Sequence, residues 1–163
     1  MKRFFPLFLI LCLLLSGCGL AGEHFKEPVP FYYLRSEYEY FTQDGVIVSE
    51  EREASGHRED LTYLLALYLM GPSEEELVSP LPRGIRIFKS EQTTDGITLQ
   101  LSDSTATMTD LDFSLACACL TLTCLEITDA ETVTINSGER SVTMSRDTLS
   151  LFDSIQTSTE ETQ

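Results

Sequence analysis

Apolar positions change their period several times along the chain, and each change marks an element. Phe4 to Leu15 is an apolar run broken only by Pro6, preceded by Lys2 and Arg3 and followed by Ser16-Gly17-Cys18. Its 12 residues fall well short of the roughly 20 that a membrane-spanning helix needs. A charged start, a short apolar core and small residues before the break predict a secretory leader over residues 1–17. Residues 18–30, with the run GLAGEHFKEPVP from 19 onward, show no periodicity and read as a tether.

Alternation begins after the tether. Phe31-Tyr32-Tyr33-Leu34 reads as a strand, and Asp44-Gly45 is a turn signal before a second strand carrying Val46 and Val48 on one face. The pattern predicts a hairpin over 31–60, either part of the main sheet or an added arm. Leu61, Leu64, Leu65 and Tyr68 then recur at helical spacing, with Leu67, Leu69 and Met70 widening the apolar face. Gly71-Pro72 stops that helix, because glycine accepts the left-handed conformation and proline cannot continue the ladder. Ser73-Glu74-Glu75-Glu76 predicts a capping box and a short helical turn ending near Val78. Beyond the extended turn Ser79 to Gly84, Ile85 and Ile87 alternate, as do Ile97, Leu99 and Leu101 after Asp95-Gly96, which predicts a second hairpin.

Thr109 or Asp110 caps a second helix over about 111–127, with a stripe of Leu111, Leu115, Ala118, Leu122 and Leu125. Leu120 and Ile127 lie elsewhere on the circumference, so the helix must be largely buried. Val133 and Ile135, then Ser137-Gly138, then Val142 and Met144, predict a last strand pair. The order predicts an α+β fold with two helices on one face of a small antiparallel or mixed sheet. The main domain runs over 61–146, and 147–163 is a polar tail without a core of its own.

Charge narrows the function classes. The chain carries 11 Lys and Arg against 26 Asp and Glu, a net −15. Removal of Lys2 and Arg3 with the leader leaves 9 basic residues, a net −17. A surface this acidic is expected to repel nucleic acid and anionic lipid headgroups, leaving a lipid to supply the adhesion.

Candidate chemistry is sparse. Cys117, Cys119 and Cys124 fall on one helix, where about 100° per residue turns Cys119 away from Cys117 and leaves Cys117 and Cys124 about 10 Å apart. A disulfide needs Cα atoms within about 7 Å, and the two histidines, His24 and His57, complete no zinc set. The three thiols read as core. Glu74 to Glu76 read as helix-start residues, and Glu50, Glu51 and Glu53 as a solvated strand edge. His57 near Asp60 forms no triad with a serine elbow, and no glycine-rich phosphate loop occurs. Phe31, Tyr32, Tyr33, Tyr38, Tyr40 and Phe41 read mainly as core, with an exposed recognition surface as the alternative. No catalytic residue, metal or cofactor is expected.

Two resemblances supply what spacing does not. Leu15-Ser16-Gly17-Cys18 resembles the lipobox of bacterial lipoproteins, which implies acylation of Cys18 (a diacylglyceryl group, then palmitate-like chains) and cleavage before it. Leu65 to Pro72, Leu77 to Ile85, and Leu120 to Leu125 followed by Val133-Thr134-Ile135 resemble three segments of the GerMN domain family of sporulation and spore-germination lipoproteins. That likeness implies a small fold similar to ring-building modules, on the extracytoplasmic face of the membrane. It also implies a non-enzymatic role in envelope or spore assembly, through protein partners or self-assembly. The chain carries one such domain where the best-known members carry two, and only Asn136-Ser137-Gly138-Glu139 stands at a region often rich in glycine. A competing expectation is a lipoprotein that captures a cell-wall or small polar fragment in a pocket lined by tyrosines. A third, an envelope hydrolase, requires a carboxylate pair or a His–Ser pair meeting in a cleft.

Overall fold

The computed structural model describes residues 28–37 and 45–149. Cys18, the aromatic residues Tyr38, Tyr40 and Phe41, and most of the polar tail lie outside them.

The first hairpin forms as its pattern predicts. β1 (Pro28–Arg35) pairs antiparallel with β2 (Ile47–Glu53), from Pro28↔Glu53 to Leu34↔Ile47. β1 starts at Pro28, inside the stretch expected to be tether. Its prolines are compatible with the ladder because β3 covers only Leu34 and Arg35 of its other side. The N–H of Tyr32, two residues on, points away from β2 and donates to Thr123 Oγ1 at 3.0 Å. Pro28 and Pro30 share that parity, so they lack a donor where no neighbouring strand would accept it.

α1 (Leu61–Leu69) is capped by Asp60, whose Oδ1 accepts the Tyr63 N–H at 3.0 Å. It buries Leu64, Leu65 and Tyr68, while Met70 at its end is 78% exposed rather than part of the apolar face. Gly71 ends it at φ +87, donating its N–H to the Tyr68 carbonyl at 3.0 Å. The helical turn expected after Ser73 does not form. Residues 73–76 are bend and turn, and β3 (Leu77–Val78) pairs with β1. The Ser73 N–H is taken by the Glu50 carboxylate instead of entering a helix start.

The second sheet runs in the order β4-β5-β6-β7. β4 (Ile87–Gln92) and β5 (Gly96–Leu101) form the expected hairpin, with strand structure starting two residues after Ile85. A short 3₁₀ helix (Asp103–Thr107) leads to α2 (Asp110–Ile127), capped by Thr109, whose hydroxyl accepts the Asp112 N–H at 3.1 Å. β6 (Thr132–Ser137) returns parallel to β5, and β7 (Arg140–Ser145) closes antiparallel, followed by a helical turn at 146–149. The four-stranded sheet is therefore mixed.

The fold is α+β as expected, but with two sheets in place of one. α2 lies against β1 of the three-stranded sheet on one side and against β6 and β7 on the other. A helix between two sheets buries more than a stripe. Phe113, Cys117, Cys119, Leu120, Thr121, Thr123, Cys124 and Leu125 are all buried. The expected stripe is correspondingly displaced: Leu111 is 52% exposed, and Leu115 and Leu122 are only partly buried.

Candidate functional site

The three thiols lie where their spacing placed them, in the core. Cys117, Cys119 and Cys124 are free and buried, and desolvation pushes each from an ordinary 9.0 to about 12. At neutral pH they are inert thiols, since the thiolate is the reactive form.

The aromatic residues of β1 are also structural. Tyr33 stacks on Tyr68 at 4.9 Å between ring centroids, and Phe31 meets the same ring edge-on at 5.9 Å. Tyr33 Oη donates to the Tyr68 carbonyl and Tyr68 Oη to the Tyr32 carbonyl, each at 3.1 Å. Both phenols are thus satisfied inside the core, as buried tyrosines require, and burial raises both above their ordinary 10.0. Tyr32 is partly buried, and desolvation, reinforced by Glu126, raises its phenol also.

Glu50 is a correction to the sequence reading. It is 3% exposed rather than on a solvated edge. Both its carboxylate oxygens lie 3.0 Å from the Ser73 nitrogen, and Arg52 Nη1 approaches at 3.5 Å while donating to the Gly71 carbonyl at 3.0 Å. The pair is a clamp holding the chain after α1 against β2. Glu51 is exposed and Glu53 partly so. Glu50→Ala is expected to lower stability by about 2 kcal/mol, because it leaves the Ser73 N–H without its acceptor and Arg52 without its carboxylate partner. Urea unfolding read by circular dichroism measures this, and an unchanged midpoint would remove the clamp.

A broad open groove of about 570 Å³ lies between β4 and the approach to α1, lined by His57, Glu59, Asp60, Thr62, Ser90 and Gln92 among others. Two of its titratable groups, His57 and Asp60, are engaged locally. His57 stacks on Tyr63 at 4.1 Å, and Asp60 caps α1. No tyrosine lines it. Among the described residues no group of three or more His, Cys, Asp or Glu side chains could hold a metal ion. Glu74, Glu75 and Glu76 are exposed on the turn before β3. No described helix is long and apolar enough to cross a membrane.

Residues 30–143 match the family Germane, described as sporulation and spore germination. The chain belongs to the Germane family. The matched span takes in β1 from Pro30 onward and the whole of β2. The tandem GerMN domains of the sporulation protein GerM from Bacillus subtilis share the fold at a TM-score of 0.50 and 20% identity, over 76% of this chain. The chain spans 43% of that one, so this Germane chain answers to part of the tandem structure. A crystallised candidate lipoprotein from Clostridium perfringens aligns at a TM-score of 0.47 and 16% identity, over 74% of this chain and 89% of that one. No curated protein matches the chain by sequence.

Proposed function

We propose that this Germane protein is a bacterial lipoprotein, cleaved before Cys18 and held by acyl chains on the extracytoplasmic face of the cell membrane. Its domain serves envelope or spore assembly through protein–protein contacts and not through catalysis. The observation that carries the assembly role is the family match over residues 30–143. Support for the anchor is the Leu15-Ser16-Gly17-Cys18 sequence, because two or more chains, at about 0.8 kcal/mol per buried CH₂, anchor stably where one would not. The helix-capping Asp60, stacked His57 and inert thiols favour the non-catalytic reading. The competing reading, a capture pocket lined by tyrosines, gains no support from a groove lined by none.

Growth with an alkyne-tagged fatty acid tests the anchor: the full chain takes the label, and Cys18→Ala loses it and leaves the membrane fraction. Label retained by Cys18→Ala removes the anchor assignment. For the assembly role, deletion in a spore-forming host is expected to lower heat-resistant spore yield with wild-type vegetative growth. A cross-linked envelope protein should also be recovered with the full chain. Unchanged sporulation together with no cross-linked partner would end that reading.

A further inference from the structure

The four-stranded sheet has α2 on one face and nothing described on the other. Register assigns the faces. Ile97, Leu99, Val133 and Ile135 are buried toward α2, so Thr98, Gln100, Thr134 and Asn136 point outward, joined by Ser141 and Thr143 of β7. Thr134 and Thr143 bond to each other at 2.9 Å across that surface. None of these side chains is charged, in a protein of net −15.

The edge strand β4 is where charge enters this face: Lys89 and Glu91, opposite outward Gln100 and Thr98, offset each other, and the surplus is the positive charge of the arginines that lead into the strand. A bulge lies between Ile87, opposite buried Leu101, and Lys89, opposite outward Gln100. In unbroken alternation Lys89, two residues after Ile87, would share its inward side. The bulge turns it out and leaves Phe88 67% exposed beside it. Arg86, one residue before inward Ile87, also faces out, its carbonyl accepting the Ser102 N–H at 2.9 Å. Arg83 is exposed where the chain approaches the strand. Lys89 pairs with Glu91 at 2.5 Å, but neither Arg83 nor Arg86 has an ion pair among the described residues. Two guanidiniums without an ion pair, near an exposed phenyl ring in the chain and beside a polar sheet face whose Lys89 and Glu91 pair with each other, stand out in a chain this short of bases.

We propose that the outer face of β4-β5-β6-β7 docks on an anionic lipid surface, with Phe88 at the acyl boundary and Arg83 and Arg86 on the headgroups. The inference rests on the anchor reading and adds an orientation to it. Cys18 stands ten positions before Pro28, a reach of about 34 Å at about 3.4 Å per residue. A domain of this size has a radius of gyration near 13 Å, so the tether lets this face meet the membrane. Each base near an anionic surface contributes about 1 kcal/mol, and a Debye length of about 8 Å screens the acids on other faces. Such weak attraction is sufficient because the acyl chains already confine the domain to the surface.

The chain has no tryptophan, so Phe88→Trp installs a single reporter at an exposed site. The full lipidated variant is reconstituted into vesicles of phosphatidylcholine alone or with about one-third phosphatidylglycerol, with brominated lipid as quencher. The proposal expects a blue shift and a loss of about half the emission in the phosphatidylglycerol vesicles only. High salt or Arg83→Ser with Arg86→Ser should reverse both, and Met70→Trp should show neither. Flotation with the vesicles reads the anchor separately. Protein that floats but keeps unquenched emission at position 88 overturns the docking face and leaves the anchor standing. Protein that does not float overturns both. A blue shift that appears without quenching, and grows with protein concentration, assigns the face to a second copy of the chain and also overturns the proposal.

Discussion

Tyr68→Ala is expected to lower stability by about 4 kcal/mol, the range for truncating a large buried aromatic. The ring has no exposed surface, and it meets Tyr33 face to face and Phe31 edge-on. Its hydroxyl ties α1 to the Tyr32 carbonyl of β1, and the Tyr32 N–H in turn ties β1 to Thr123 of α2. The peptide groups of Tyr32 thus take a hydrogen bond from α1 and give one to α2, and the Tyr68 side chain makes the first of them. Tyr68→Phe keeps the rings and strands only the Tyr32 carbonyl, at about 1 kcal/mol. Urea midpoints followed by circular dichroism separate the two. Equal losses for both variants would mean that the hydroxyl, and not the stacked rings, holds α1 in place.

The stability contributed by the buried thiols is expected to be complete up to about pH 9 and to fall steeply above it. Burial raises Cys117, Cys119 and Cys124 from 9.0 to about 12 in the folded chain. Above pH 9 the unfolded chain sheds thiol protons that the folded chain keeps, so unfolding gains from each further pH increase. The stabilising contribution is complete below 9 and is lost on the way to 12. Three thiols at about 1.4 kcal/mol per pH unit each amount to about 4 kcal/mol per unit, comparable with the whole stability of a small domain. The raised phenols of Tyr33 and Tyr68 act in the same sense above pH 10. Unfolding at pH 8, 9.5 and 10.5 checks the slope. The triple Cys→Ala variant should start less stable and show a clearly shallower fall; an identical slope would acquit the thiols.

Most element types were legible because they depend on local order. Helical spacing and Gly71-Pro72 located α1 and its end, and the alternating runs around Gly96 and Gly138 located two hairpins. The burial of α2 was legible from apolar residues around its circumference. Glu50 was not legible, because its burial depends on the Ser73 N–H 23 residues away. The turn at 73–76 was misread for the same reason: Ser73 and its acids carry a helix-start pattern, but Glu50 takes the N–H and β1 takes Leu77 and Val78. The sheet face around Phe88 escaped notice because a bulge has no periodic signature.

The amino-acid sequence alone determined the α+β class, the two helices, the core cysteines and a Leu-Ser-Gly-Cys ending of the lipobox kind, since each follows from neighbours in the chain and their side-chain chemistry. Only the tertiary structure decided that β6 runs parallel to β5, that α2 lies between two sheets, and that Lys89 faces outward. Periodicity shows which side of an element is apolar, but what covers that side depends on partners brought together by the fold.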